Sequence, residues 1–166
     1  MQRPVAELAR LRRRAPEEFA GGSLADASDW LEARGALPEA LDLSLTFSGP
    51  WRSPVSLDVT SGERDRTTVT LDAAKGELMV DRRESGKVDF HPAFAARHVA
   101  PIRPVGDTVR LRVLLDASSI EVFAQDGESV LTELIFPTPG LRKLRLRAAD
   151  GGPRVARIGL ARLAGP

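Results

Sequence analysis

The clearest pattern in the chain is an alternation of apolar and polar residues between Val109 and Pro137. Val109, Leu111, Val113 and Leu115 alternate with Arg110, Arg112 and Leu114, the period-2 signature of a half-buried strand. A polar turn over Asp116 to Ser119 separates it from a second strand, Ile120 to Ala124, which is rich in β-branched and aromatic residues. Asp126-Gly127 predicts a tight type I′ hairpin, because that turn needs φ > 0 at its central residues. Val130 to Phe136 is a third strand, stopped by Pro137-Thr138-Pro139-Gly140.

The same alternation recurs upstream. Leu41, Leu43, Leu45 and Phe47 face one way and Asp42, Ser44 and Thr46 the other, ending at Ser48-Gly49-Pro50. Val55, Leu57 and Val59 repeat it up to Ser61-Gly62. Thr67 to Leu71 and Glu77 to Asp81 are two more strands around the turn Ala73 to Gly76. Residues 83–106, with Gly86, Pro92, Pro101, Pro104 and both histidines, predict a long ordered loop. Arg142 to Ala148 and Val155 to Leu163 complete the pattern on either side of the turn Asp150-Gly151-Gly152-Pro153. About nine short strands and no long helix predict an all-β, two-sheet antiparallel β-sandwich, with a closed barrel as the alternative. Near the N-terminus, Pro4, Val5, Leu8 and Leu11 predict a linker or a one-sided short helix laid over a surface. Residues 15–28 read as loop, and Ser28 to Ala36 fits either a helix or an edge strand. The expected division is a linker segment over 1–27 and a sandwich over 28–166.

Composition narrows the function classes. A length of 166 residues predicts one domain with a single sizeable core. A formal net charge of +1 supplies no bulk field toward nucleic acid or a membrane surface. The absence of Cys excludes disulfides, zinc–thiolate sites and thiol catalysis. No signal peptide is expected, since Met1-Gln-Arg-Pro4 lacks an apolar run, and no stretch is apolar for long enough to span a membrane. Six Phe, two Trp and no Tyr argue against a platform for stacking bases.

Candidate chemistry is sparse. A glycosidase needs two carboxylates flanking the scissile bond. Asp81, Asp116, Glu121 and Asp126 are available, but Asp116 and Asp126 fall in turns, where Asp serves the backbone. His91 and His98 share one loop without a dense carboxylate cluster, a weak signal for metal ligation or base catalysis. Ser118-Ser119 beside Asp116 is a hairpin turn rather than a triad. Arg110, Arg112, Lys143, Arg145 and Arg147 all point outward from strands and suit a solubilising face, a facing domain or a phosphate stripe. Trp51, after Gly49-Pro50, is either a sugar-stacking ring or a cap on the core.

The segments Leu111-Arg112-Val113, Asp116-Ala-Ser-Ser-Ile-Glu-Val-Phe123, Asp126-Gly127-Glu128, Leu131-Thr132 and Ile135-Phe136-Pro137 resemble the C-terminal β-sandwich of glycoside hydrolase family 32. Met79-Val-Asp-Arg-Arg-Glu-Ser-Gly86 is similar to that family's Asp-Arg-x-x-Ser-Gly segment, and Val88-Asp-Phe-His-Pro-Ala-Phe94 with Ala100-Pro101-Ile102 to the loop after it. Gln2-x-Pro-Val-x-Glu-Leu8 resembles the linker that joins this sandwich to a catalytic domain. Ala117 stands where the family often has a basic residue.

The family contains invertases, levanases and inulinases, whose active site lies in a five-bladed propeller. Its motifs are Trp-x-Asn-Asp-Pro-Asn, Arg-Asp-Pro and Glu-Cys. None occurs here: Arg64-Asp65-Arg66 departs from the second, and the third needs a Cys. The resemblance therefore implies no catalytic residue, no cofactor and no metal, and no activity for the chain alone. It implies a non-catalytic module supporting a propeller, with fructan or sucrose-type carbohydrate as the substrate of the whole enzyme. The alternative is a stand-alone fructan-binding module, since carbohydrate-binding module family 66 is a related sandwich. For sugar binding the candidates are Trp51, Asp81, Arg82, Glu121 and Gln125, through hydroxyl hydrogen bonds and one stacking ring. An orphaned support domain is also expected to self-associate. The family includes secreted and cytoplasmic members, so the resemblance leaves the compartment open.

Overall fold

A computed structural model describes residues 2, 4, 6–149 and 152–164. Val5 and the Asp150-Gly151 half of one expected turn lie outside the described residues. Two antiparallel sheets pack face to face. The six-stranded sheet has the order β1 (Glu17–Phe19), β11 (Arg154–Arg162), β2 (Leu41–Ser48), β7 (Thr108–Leu115), β8 (Ser119–Ala124), β9 (Ser129–Leu134). The five-stranded sheet has the order β10 (Arg142–Ala148), β3 (Val55–Ser61), β4 (Asp65–Asp72), β5 (Glu77–Glu84), β6 (Arg97–Pro101). The fold is the expected all-β sandwich, with two sheets of separate strand order rather than a closed barrel.

The alternation read from the sequence sets which face is buried. Leu43, Leu45 and Phe47 of β2, Val109, Leu111 and Val113 of β7 and Ile120 and Val122 of β8 line one inner face. Leu57 and Val59 of β3, Val69 and Leu71 of β4, Leu78 and Val80 of β5 and Leu144 and Leu146 of β10 line the other. Each such side chain contributes about 1.5–3 kcal/mol on burial, and a one-residue slip would turn a whole strand's set to water.

Among the described residues eleven strands stand where about nine were expected. β1 lies in the stretch read as loop; three residues are too short to show alternation. β6 lies inside the expected long loop, disguised by His98 and Pro101, and β5 runs on to Glu84. Of the stretch that fitted helix or strand, residues 28–32 belong to a helix, α1 (Leu24–Glu32), whose first turn lies in the stretch read as loop. Ser23 caps it through a reciprocal box with Asp26, and Ala27 and Leu31 turn inward. α1 lies along β10, the edge of its sheet, and Ser28 Oγ accepts the Leu146 N–H at 3.2 Å. The hairpin at Asp126-Gly127 is not a two-residue turn: Ala124 pairs with Ser129 across a four-residue loop. Gln125, Asp126 and Gly127 all have positive φ there.

The start of the chain is a strap across the outer face of the six-stranded sheet. The Gln2 N–H donates to Gly127 O at 3.0 Å, and Arg13 N–H to Arg162 O at 3.1 Å. Between them a 3₁₀ turn, Ala6–Leu11, lies beside Leu114 and Glu121. Arg12 closes onto Asp42 at 2.7 Å, a carboxylate that Arg112 also holds at 2.9 Å. This is the short helix over a surface that the sequence pattern predicts.

Candidate functional site

The surface around β5 carries the densest chemistry, and a β-bulge organises it. Arg66 and Thr68 of β4 oppose Glu84 and Asp81 of β5, so Thr67 faces two residues, Arg82 and Arg83. A bulge bends the strand and re-aims its side chains. Asp81 projects from the outer face of the five-stranded sheet. Arg82 projects from the other side, over the end of the core.

On the outer face, Asp81 is gripped by Arg83 Nη2 and Arg97 Nε, each at 2.8 Å, and by the Arg83 backbone N–H at 3.1 Å. Burial works against its charged form, but these hydrogen bonds prevail and hold its pKa down to about 2. Asp58 accepts from Thr68 Oγ1 at 2.7 Å and Arg147 Nη2 at 3.1 Å, and Arg66 pairs with Glu84 at 2.6 Å. Thr70, Met79 and these residues, Asp58 apart, line a shallow groove of about 230 Å³. Its four arginines all meet carboxylates already.

On the other side, the Arg82 guanidinium lies over the Phe94 ring, 4.1 Å from its centroid. Arg82 Nε stands 3.2 Å from Glu133, a buried carboxylate whose second oxygen is 2.7 Å from His98 Nδ1. Arg82 Nη1 donates to Leu134 O at 3.1 Å. Phe94 packs with Phe90 and Phe136 at centroid separations of 4.5 and 5.4 Å, and Phe90 meets Phe136 edge-on at 5.5 Å. Phe94 is buried, but Phe90 is 53% exposed and Phe136 37%. Gly86 bridges to Phe136 at φ +105°, and a Cβ there would run into the Phe136 carbonyl.

The sugar-binding candidates do not meet in one place. Asp81 and Arg82 occupy the two sides of β5. Glu121 lies on the outer face of the other sheet, in a groove of about 430 Å³ shared with Leu8, Leu11 and Leu114. Trp51 is half-buried against the core, and its indole N–H is enclosed without a partner among the described residues. Gln125 is buried and occupied: Oε1 accepts the Arg110 N–H, and Nε2 donates to Arg103 O at 2.9 Å and Thr108 O at 3.1 Å.

The weaker candidates resolve into structural roles. His91 Nδ1 accepts the Ala93 N–H within its own turn. Asp116 accepts the Ala117 N–H. The outward basic residues split between the two sheets, with Arg110 on Asp126, Arg112 on Asp42, Arg145 on Glu32 and Arg147 on Asp58. Among the described residues no three acidic or histidine side chains converge as metal ligands, and no helix is long and apolar enough to cross a membrane. Phe90, Phe94, Phe136 and Glu133 escaped the reading of single residues. Their signal was available: half of the six Phe sit in two stretches, 88–94 and 135–137, where the family resemblance is quoted.

Comparison with known proteins decides the family. The family described as "Glycosyl hydrolases family 32 C terminal" matches residues 7–161. The chain belongs to it. A levanase of Bacillus sp. (strain L7) is 34% identical over 160 residues, covering 95% of this chain and 17% of the levanase. A levanase of Bacillus subtilis (strain 168) is 44% identical over 98 residues, 58% of this chain and 14% of that protein. The crystal structure of an exo-inulinase from Aspergillus awamori superposes with a TM-score of 0.78 at 25% identity, over 95% of this chain and 31% of that one. The chain thus spans under a third of the length of these relatives. In this family 32 C-terminal sandwich the quoted stretches 79–86 and 135–137 meet where Gly86 bridges to Phe136.

Proposed function

We propose that this chain is the non-catalytic C-terminal β-sandwich of a β-fructosidase of the levanase–inulinase group and supports a catalytic propeller. The observation that carries the reading is the match of the family's C-terminal domain to 7–161, in a chain spanning only 17% of a levanase to which 95% of it aligns. The substrate of the whole enzyme is a β-fructan or sucrose-type carbohydrate, by analogy with relatives named as levanases and exo-inulinases. The strap over the six-stranded sheet is the segment through which the sandwich joins the propeller.

The geometry supports scaffolding over independent sugar binding. The five sugar-contact candidates are distributed over both sheets, and Gln125 and Asp81 already have their hydrogen-bonding capacity engaged within the chain. A domain exchange tests the reading. The stretch of the Bacillus sp. (strain L7) levanase that aligns with this chain is replaced by it. The expected result is levan hydrolysis and a melting temperature well above those of the levanase truncated before that stretch. A chimera no better than the truncated enzyme rejects the scaffold role, and levan or inulin binding by the isolated chain in a calorimetric titration would put a carbohydrate-binding module in its place.

A further inference from the structure

We infer that the Phe90–Phe94–Phe136 platform is the surface on which the catalytic domain of the same enzyme seats an apolar side chain; the inference rests on the scaffold reading above. Elsewhere most of the surface is closed from within the chain, although Leu11, Val99, Val105 and Leu141 are also exposed. The strap covers the outer face of the six-stranded sheet, and Leu114, Phe123 and Ala161 on that face are buried. α1 covers the β10 edge. The outer face of the five-stranded sheet around Asp81 is a lattice of satisfied ion pairs.

The platform differs in each respect. It presents two exposed aromatic rings in edge contact. Exposed apolar clusters of this kind, rimmed by polar residues, mark interaction surfaces. Lys87, Asp89 and His91, exposed polar residues, flank Phe90 in the chain. The base is rigid in advance of any partner. Arg82 holds Phe94 from beneath and is itself fixed by Glu133 and the Leu134 carbonyl, and the Gly86–Phe136 bridge locks the two motifs together. A rigid, aromatic-centred patch is the form that a binding anchor takes. The relatives supply the occupant: in each, more than two thirds of the chain lies outside the stretch that this chain covers.

The test uses the levanase chimera with Phe90→Ser and, separately, Phe90→Glu, beside the control Thr70→Ala on β4, in the groove around Asp81. Each variant of the isolated chain is first melted, which shows whether the sandwich still folds. The expected result is that both Phe90 variants lose more than half of the melting-temperature gain that the sandwich confers on the catalytic domain, while Thr70→Ala keeps it. If the unaltered chimera shows the gain and the Phe90 variants retain it, the platform is not the seat and the scaffold role stands. If the Phe90 variants instead abolish self-association and leave the gain intact, the occupant is a second copy, which also overturns the inference. If the unaltered chimera shows no gain, the scaffold reading fails and takes the inference with it.

Discussion

Asp81 and Arg82 are consecutive residues on one strand, yet the surfaces they serve behave as opposites. Around Asp81 every charge is answered from within the chain: two arginines on the carboxylate, Arg147 and Thr68 on Asp58, Arg66 on Glu84. Around Arg82 the charges are paired as well, although its buried Nε makes no hydrogen bond among the described residues, and they are spent on holding up aromatic rings, two of which face water. By residue type the Asp81 side looks like the binding site. By free energy it is the finished surface, and the Phe90 side is the unfinished one. Ion-paired side chains in water gain little from a new partner, whereas exposed aromatic surface gains about 25 cal/mol for each Å² covered.

The sharpest way to break the contrast is to remove the base of the platform. Gly86→Ala places a Cβ against the Phe136 carbonyl at a positive φ, and we expect a loss of about 3 kcal/mol, read as a lowered urea midpoint. A variant as stable as the parent would mean that the two motifs are not locked there. Arg82→Met leaves Glu133 buried with only His98 beside it and should cost about 2–3 kcal/mol. Near-UV circular dichroism should report loosened aromatic packing in the same variant, and an unchanged spectrum would detach Arg82 from the rings.

Asp81→Asn should cost less, about 1 kcal/mol, since the groove is open to solvent. Its pH signature is more telling. In the fold the Asp81 carboxyl is held at about 2 against its ordinary 3.8, so the unfolded chain takes up the proton first as pH falls. The stabilisation is complete above about pH 4 and disappears as pH drops toward 2. Acid titration of the melting temperature should therefore be flatter in the Asn variant over that window, and parallel curves would contradict the assignment. Phe90→Ser should be the mildest change for the isolated chain, under about 0.5 kcal/mol, because the ring is half in water already. A large loss would show that Phe90 belongs to the core rather than to an interface.

The sandwich was legible because period-2 alternation is strong in β2, β3, β4 and β7, where one face is dry and the other wet. It faded where that condition lapses. β1 is three residues long, and β6 is an edge strand with three exposed residues in succession. α1 was announced by Ser23-Leu-Ala-Asp26, a capping signature outweighed by the surrounding Ala, Gly and Ser. The site was harder to read. Alternation places Asp81 and Arg82 on opposite faces, but a bulge and a pairing between residues 52 apart, Arg82 and Leu134, leave no local trace. Gln125 looked available by residue type and inferred facing; its carboxamide is consumed by three backbone groups brought in by the tertiary fold.

Hydrogen–deuterium exchange comparing the isolated chain with the levanase chimera tests the central claim most directly. We expect new protection in the chimera over residues 86–94 and 134–137, with residues 66–70 and 79–81 on the Asp81 side exchanging as they do in isolation. Protection confined to the Asp81 side, with 86–94 unchanged, would contradict it.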